Sequence, residues 1–395
     1  MQTTTLDKTK RIGSIDLLRG LVMVIMALDH SRDFFHVAAL TGDPLNPETS
    51  TPILFFTRWV THFCAPTFVF LSGLSAWLQS RKKSKKELSL FLIKRGVWLI
   101  VIDLILMSLL ITADIHYEFF ILETLWAIGA GMIVLGLLIR LPYYYILAVG
   151  IIIVFGHNIL DFFEGNGPAG VGWSLMHRPN LIPLFNGHGL FVFYPFLPWS
   201  GLLLLGYCCG KLYTDNTEEK RQRILIYLGL GAIVFFIAFR FANVYGNPSA
   251  WATQTKSIAT FFSFMNVQKY PPSLLFMCAT IGPALLFLAF TENWSGRLMR
   301  IISVYGRVPF FYFIVHFFIL HLAQIITYLA RDHSLAEGMK GLPGNPIKFA
   351  SPGEGVSLLT VYLIWIAVVI LMYPLCNAYD KYKRRHKEKW WLSYL

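Results

Sequence analysis

The stretch "RGLVMVIMALDHSRDFFH", Arg19 to His36, decides how the fold is interpreted. It begins with an unbroken apolar run after Gly20, as a membrane-spanning helix does. Without an intervening Gly or Pro it then reaches five ionisable residues. A charged side chain at the centre of a bilayer costs about 2.5 to 3.5 kcal/mol on insertion scales. We therefore expect these side chains to be paired and to face a cavity; they are Asp29, His30, Arg32, Asp33 and His36.

The composition predicts a membrane protein. Only 14% of the residues are charged, against about 25% in soluble domains, and the mean hydropathy is +0.56. Several mostly apolar runs are long enough to cross a hydrocarbon core of about 30 Å, and the short alternating segments of a membrane β-barrel are not evident. We predict an all-α polytopic protein with about ten transmembrane helices around a central cavity. The predicted spans are 14–37, 53–79, 91–112, 119–139, 142–160, 189–210, 224–245, 272–291, 301–329 and 356–378.

The net charge of +12 indicates topology rather than nucleic-acid binding. If the spans alternate, most of the 34 Lys and Arg residues fall on one side of the membrane. By the positive-inside rule this side is cytoplasmic, and both termini lie there. Contact with anionic lipid headgroups is a further expectation. The basic segments are 1–19, 81–95, Arg140, 211–223, 297–307 and 381–389.

The chain is predicted to form a single transmembrane domain, with cytoplasmic tails at 1–13 and 379–395. Its longest connections, 38–52, 161–188 and 330–355, are rich in Gly and Pro or polar residues and are predicted to be irregular outer loops. Segment 246–270 is half apolar, which favours an interfacial or re-entrant helix. We expect no cleaved signal peptide, because the first span is too long and too charged at its far end. The five cysteines have no spacing typical of disulfides or zinc.

His30 is the candidate general base. On a helix, Arg19 and His30 share a face and lie about 16 Å apart along the axis. A neutral imidazole beside a carboxylate can accept a proton from an amine or hydroxyl. Asp29 and Asp33, one turn apart beside His30, are candidates to orient the ring. The alternative interpretation is an ion-paired helix end, in which Arg32 neutralises one of these aspartates.

Other spans add polar side chains that are predicted to line the same cavity as substrate-binding residues: Arg58, His62, Lys269, Tyr270 and His316. His316 and His321 lie five residues apart, about 140° around a helix, so they are not expected to bind one metal. No metal is expected. Single intramembrane charges, which either pair or form a proton relay, are Asp103, Glu123 and Arg240.

No phosphate-binding glycine loop, dinucleotide fingerprint or zinc motif is present in the sequence. A phosphate-bearing ligand would have to be bound by scattered basic side chains. The candidates at the predicted cytoplasmic mouth are Arg19, Lys94, Arg95 and Arg307.

Four motifs, "RIGSIDLLRGLVMVIMALDHSRDFF", "THFCAPTFVFLSG", "NVQKYPPSLLF" and "GRVPFFYFIVH", carry a family resemblance. With them the chain resembles bacterial members of the heparan-α-glucosaminide N-acetyltransferase family, within the wider transmembrane acyltransferases. The resemblance implies one acyltransferase domain over residues 1–395 in a bacterial inner membrane. It also implies transfer of acetyl from cytoplasmic acetyl-CoA to an amino sugar or glycan near the outer face. Arg19 and His30 match an arginine and a histidine that the wider group shares in its first helix.

In the lysosomal enzyme of that family an asparagine aligns with His30 and a histidine follows in the next loop, so His36 stays open as the base. The resemblance places acetyl-CoA with its nucleotide at the basic mouth and its thioester beside His30. Direct transfer and a route through an acetyl-histidine are both open. The competing interpretation is a proton-coupled transporter of small molecules or lipid, which the missing internal repeat disfavours. The small residues of "FLSGLSA" are compatible with close packing and with a homodimer.

Overall fold

The first helix runs through the predicted span and its charged end without a break, from Gly13 to Phe35. The computed structural model describes residues 12–39, 41–163, 170–342, 345–389 and 392. Most of the predicted tail 1–13, and the end of the tail 379–395, lie outside these residues.

The described chain is mostly helical. Its α-helices are α1 (Gly13–Phe35), α2 (Pro52–Val60), α3 (Cys64–Ser80), α4 (Lys85–Ile102), α5 (Ser108–Thr112), α6 (Thr124–Leu138), α7 (Tyr143–Gly156), α8 (Val171–Met176), α9 (Phe196–Gly210), α10 (Leu212–Asp215), α11 (Glu218–Ala242), α12 (Ser257–Met265), α13 (Leu274–Phe290), α14 (Arg297–Arg307), α15 (Pro309–Leu329), α16 (Leu335–Lys340) and α17 (Leu358–Arg385). Within the described ranges, five helical segments are long and apolar enough to cross a membrane: Pro52–Ser80, Tyr143–Phe163, Glu218–Ala242, Pro309–Leu329 and Leu358–Arg385. Ten spans, and the side on which each terminus lies, stay predictions.

α1 lies at the centre of the bundle and packs against α3, α13, α14, α15 and α17. Its crossing with α14 brings the two backbones into contact. A Cβ atom at Gly20 would overlap the carbonyl oxygen of Ile302, and one at Gly306 would overlap that of Asp16. Only glycine fits where two helix backbones approach so closely. This contact fixes α1, and therefore His30, relative to the rest of the bundle.

The all-α prediction is wrong at one end of the bundle, where a three-stranded sheet forms from β1 (Phe119–Leu122), β2 (Asn180–Pro183) and β3 (Gly189–Val192). β3 is central, parallel to β1 and antiparallel to β2. The spans predicted to start at 119 and 189 therefore begin as strands. Hydropathy cannot separate four-residue apolar strands from helix ends, because both are apolar runs. We call this the sheet end.

The opposite end, where α4 begins at Lys85 and α17 ends at Arg385, is called the basic end. The predicted span 301–329 is interrupted there: α14 ends at Arg307 and α15 begins at Pro309. Proline disfavours helical geometry in the residue before it, and Val308 has a non-helical φ of −131°. Pro309 itself occupies the first turn of α15, where its missing N–H is tolerated.

The connections predicted to be irregular outer loops contain more regular structure than predicted. Segment 161–188 includes α8 and β2, and segment 330–355 includes α16. In segment 246–270 the helix α12 has nine residues, which is too short to cross a bilayer. The prediction of a non-spanning helix in this segment agrees with that length.

Candidate active site

A cavity of about 640 Å³ lies in the bundle beside α1, within the size range of small-molecule sites. Its polar residues collect towards the sheet end, its middle is apolar, and Arg95 and Ser72 lie further towards the basic end. Polar residues of the wall at the sheet end include Asp29, His30, Asp33, Arg58, Thr61, Glu123, Tyr194, Lys269 and Tyr270. Asp29, His30 and Asp33 on the polar half of α1 therefore line this cavity, as predicted, whereas Arg32 and His36 do not line it.

His30 is joined to α15 through a pair of imidazoles. Its Nδ1 lies 2.7 Å from Nε2 of His316, and the Nδ1 of His316 lies 2.8 Å from the carbonyl oxygen of Tyr312. His30 also packs on Phe317, with ring centroids 4.1 Å apart. His316 is fully buried behind His30, whereas His30 is half-buried and lines the cavity. The substrate-binding role predicted for His316 is therefore wrong in its geometry, because His316 contacts the candidate base and not the cavity.

Arg58, Asp29, Arg32 and Asp33 form a series of ion pairs, which we call the charge chain. Arg58 donates to both carboxylate oxygens of Asp29, at 3.0 and 2.8 Å, and to the hydroxyl of Thr61. Arg32 donates to Asp29 at 2.8 Å and to Asp33 at 2.5 Å. The prediction that Asp29 or Asp33 orients the imidazole is wrong, because these carboxylates bind arginines while Nδ1 of His30 binds His316. The alternative of an ion-paired helix end is correct for Asp29, Arg32 and Asp33.

Glu123 enters the cavity at the start of α6, held by a buried acid. Oδ2 of Asp103 accepts the backbone N–H groups of Glu123 at 2.7 Å and of Trp126 at 3.0 Å. Asp103 is completely buried and opens a π-helical turn, Asp103–Met107, between α4 and α5. Such turns recur at functional sites. Asp103 thus caps α6 from a neighbouring helix, and this fixes the backbone that presents Glu123.

An aromatic wall faces the charge chain at the sheet end. Nζ of Lys269 lies 5.1 Å from the centroid of the Tyr270 ring, within cation–π range. Tyr270 makes edge contacts with Tyr194 and Phe193, at centroid distances of 5.2 and 5.6 Å. The sequence singled out Lys269 and Tyr270 but not Tyr194, which lies just before α9 with no local signal that distinguishes it from a packing tyrosine.

The four predicted phosphate contacts separate into two groups. Arg95 lines the cavity, whereas Lys94, about 100° away on the same helix, is exposed on another face. Arg19 donates to the carbonyl of Gly306 and the hydroxyl of Ser75, and Arg307 pairs with Asp380 at 2.8 Å. These contacts tie helices together at the basic end. Arg95 is therefore the predicted phosphate contact that faces the cavity.

Two predicted histidines lie elsewhere. His36 is the residue after α1; its Nδ1 accepts the N–H of Ala38, and its backbone pairs with Val356. His62 is buried against Phe276, with ring centroids 5.3 Å apart. His62 does not line the cavity that it was predicted to line, because its ring packs against protein. His36, a candidate base from the family resemblance, also lies outside that cavity. Within the described ranges, no group of three His, Cys, Asp or Glu side chains could hold a metal ion.

The tautomers of the two imidazoles follow from the hydrogen bonds. A carbonyl oxygen only accepts, so Nδ1 of His316 must donate to Tyr312 and its Nε2 must accept. Nδ1 of His30 then carries the proton that it donates to His316, and Nε2 of His30 is left with a lone pair. The arrangement therefore provides one imidazole nitrogen able to accept a proton at the cavity wall.

A sequence model of the family described as heparan-alpha-glucosaminide N-acetyltransferase, catalytic, matches residues 11–247. No curated protein matches the chain. The matched region includes His30, Arg58, Arg95 and Glu123, while His316 and Lys269 lie beyond it. More than half of the chain is covered, so the chain belongs to the heparan-α-glucosaminide N-acetyltransferase family, and this membership implies a membrane acyltransferase.

Proposed function

We propose that the chain transfers an acetyl group from acetyl-CoA, bound from the basic end, to the amine of an amino sugar bound at the sheet end. The observation that supports this most is the position of His30: its unprotonated Nε2 lies on the wall of a cavity that also contains Arg95. In this proposal the basic end is cytoplasmic, both termini lie on that side, and the membrane is a bacterial inner membrane. The concentration of Lys and Arg in the basic segments supports the orientation.

The donor would enter with its phosphates at the basic end, where Arg95 provides a cationic contact that can bind phosphate in a bidentate manner. Its pantetheine arm would then follow the apolar middle of the cavity, which includes Met23, Met26, Leu99 and Met132. Lys94 is exposed on another face of α4, outside the cavity, and could meet the phosphates before they enter. Arg19 and Arg307 would act indirectly, by holding the helices at the basic end.

The acceptor would lie against the aromatic wall. Sugar rings stack their apolar faces on aromatic side chains, and Phe193, Tyr194 and Tyr270 offer such a surface. Glu123 and Asp33, the latter already paired with Arg32, are the carboxylates that would accept hydrogen bonds from the amine, while Arg58 is bound to Asp29. This set supports an amino sugar better than an acidic acceptor.

The chemical step needs one base at one position. The acceptor nitrogen attacks the thioester carbonyl, a C–N bond forms, and the C–S bond breaks. Nε2 of His30 takes the proton that the nitrogen loses, and the resulting imidazolium returns it to the departing CoA thiolate, which leaves as the thiol. Lys269 is the cation on the same wall that would stabilise the oxyanion. An acetyl-histidine route would use the same nitrogen as nucleophile.

The test is CoA release by the purified protein given acetyl-CoA, with and without glucosamine. His30→Ala should lower release about 10²- to 10⁴-fold, the usual effect of losing a positioned base. It should keep the rise in melting temperature that acetyl-CoA causes, because a ligand that binds the folded state stabilises it. His36→Ala is the matched control and should stay active.

Two results would contradict the proposal. If His30→Ala stays active and His36→Ala is inactive, His36 is the base. If acetyl-CoA neither stabilises the wild type nor is consumed, the transporter becomes the better hypothesis, with Glu123 and Asp33 as its proton-carrying groups.

A further inference from the structure

We infer that His316 is a positioning residue for the base: it holds His30 in the tautomer that leaves Nε2 free. The inference rests on the proposed function, in which Nε2 of His30 accepts the acceptor's proton. His316 does this through one hydrogen bond, and the backbone carbonyl of Tyr312 determines the direction of that bond.

The first step of the argument is the carbonyl. Tyr312 lies one helical turn before His316 on α15, so its carbonyl oxygen is presented to Nδ1 of His316 by the helix itself. A carbonyl cannot donate. The proton of neutral His316 is therefore on Nδ1, whatever occupies the cavity, and its Nε2 is an acceptor aimed at His30.

The second step is the relative orientation of the two rings. Their planes are inclined by 18° and their centroids are 5.0 Å apart, while the bonded nitrogens are 2.7 Å apart. These values describe rings lying side by side in nearly one plane, which aligns the N–H of His30 with the lone pair of His316. Phe313 and Phe317 contact both rings and hold them there.

The third step is the proton balance during transfer. When Nε2 of His30 takes a proton, the ring becomes an imidazolium that still donates from Nδ1 to His316. His316 stays neutral, because a proton on its Nε2 would place two N–H donors against each other. In serine hydrolases a carboxylate has this orienting role. Here the carboxylate of the preceding residue, Asp29, is bound to Arg32 and Arg58, and a neutral imidazole takes the orienting position instead.

His321 shows that this arrangement is not a general property of buried histidines on α15. It too donates from Nδ1 to a backbone carbonyl, that of Leu110 at 2.8 Å, and it is buried. Its ring contacts Phe34 and not the cavity. His321 is therefore the matched control for His316.

The experiment compares His316→Phe, His316→Gln and His321→Phe in the full-length protein. Phenylalanine fills the space but removes the acceptor, so kcat should fall about 100-fold or more while KM for acetyl-CoA changes less than about threefold, the pattern of a wrong tautomer. The amide oxygen of glutamine can accept from Nδ1 of His30, so His316→Gln should recover at least about tenfold over His316→Phe. His321→Phe should keep kcat. Stabilisation by acetyl-CoA reports that each variant is folded.

A second measurement does not depend on activity. With ¹⁵N-labelled histidine, the His30 signals, identified by their loss in His30→Ala, should show Nδ1 protonated and Nε2 unprotonated in the wild type. In His316→Phe the protonation of Nδ1 should fall. If the wild type consumes no acetyl-CoA, the proposed function fails, yet this spectrum still decides whether His316 sets the tautomer. Equal kcat in the Phe and Gln variants with an unchanged His30 spectrum would overturn the inference and leave His316 a packing residue.

Discussion

The two ends of the cavity differ in the charged side chains that line them. At the sheet end, Arg58, Asp29, Arg32 and the half-exposed Asp33 bind one another in sequence, so opposite charges lie side by side. Beyond the apolar middle, Arg95 is a cation on a wall made largely of methionine, leucine and phenylalanine. The two ends therefore suit different ligands. The sheet end presents several side chains of both charges, whereas the cavity wall nearer the basic end presents the positive side chain of Arg95, which suits an anionic ligand.

The largest effect should come from breaking the charge chain. Asp29→Asn removes the carboxylate that joins the two arginines and leaves two buried positive charges near one remaining acid. Breaking a buried ion pair by removing one partner costs about 3 to 5 kcal/mol. We expect a loss of this order in the free energy of unfolding, measured by denaturant unfolding in detergent.

The matched control for that variant is the double substitution Asp29→Asn with Arg58→Met, which removes one charge of each sign and leaves the Arg32–Asp33 pair. The double variant should lose less free energy of unfolding than the sum of the losses in the single variants Asp29→Asn and Arg58→Met. The difference should be at least about 1 kcal/mol, the coupling expected of contacting residues. Additive losses would mean that Asp29 and Arg58 of the charge chain are not energetically coupled. The contrast drawn between the two ends of the cavity would then not hold.

An intermediate effect is expected at the basic end. Arg95→Gln should weaken acetyl-CoA binding about 10- to 100-fold, because hydrogen bonds to charged groups contribute about 1.5 to 3 kcal/mol each. Lys94→Gln, one residue away and exposed, should change the affinity less than about threefold. Calorimetric titration of the purified variants with acetyl-CoA measures both. Equal losses in the two variants would place the phosphates on the outer surface of α4 instead of in the cavity.

The smallest effect should come from Glu123. Glu123→Gln keeps the shape of the side chain but removes the charge that would bind the acceptor's amine, so KM for glucosamine should rise about 3- to 10-fold. KM for acetyl-CoA provides the internal control and should stay unchanged. Steady-state kinetics with each substrate varied in turn measure both constants. A change confined to the donor would assign Glu123 to the other half of the cavity.

For α1 the sequence predicted that Asp29, His30 and Asp33 face a cavity, because the evidence for that position is local. Asp29, His30 and Asp33 share a stretch too polar for lipid, and a cavity is the physical alternative. The choice between Lys94 and Arg95 could not be made in the same way, since it depends on which neighbours α4 packs against. His316 was noticed, but its partner lies 286 residues away in the chain. No periodicity connects two histidines at that separation.

The errors in the fold have equally specific causes. "FFIL" and "GLFV" are too short to show whether apolar and polar residues alternate, so hydropathy assigns these two strands to the adjacent helices. Pro309 marks the break before α15, whereas the hydropathy of the run around it predicts one continuous span. Hydropathy measures what a segment is buried in, and it does not report backbone geometry.

The charge chain has a consequence for how the acceptor arrives. The formal charges of its two arginines and two aspartates sum to zero, and Lys269 and Glu123 add one formal charge of each sign at the same end of the cavity. A balanced wall produces little field at a distance, so it cannot steer a substrate from solution as a one-signed cleft does. Raising the salt concentration shortens the Debye length from about 10 Å at 0.1 M to about 3 Å at 1 M. It would have little to screen on this wall, where the proposed sugar acceptor would be captured by contact alone.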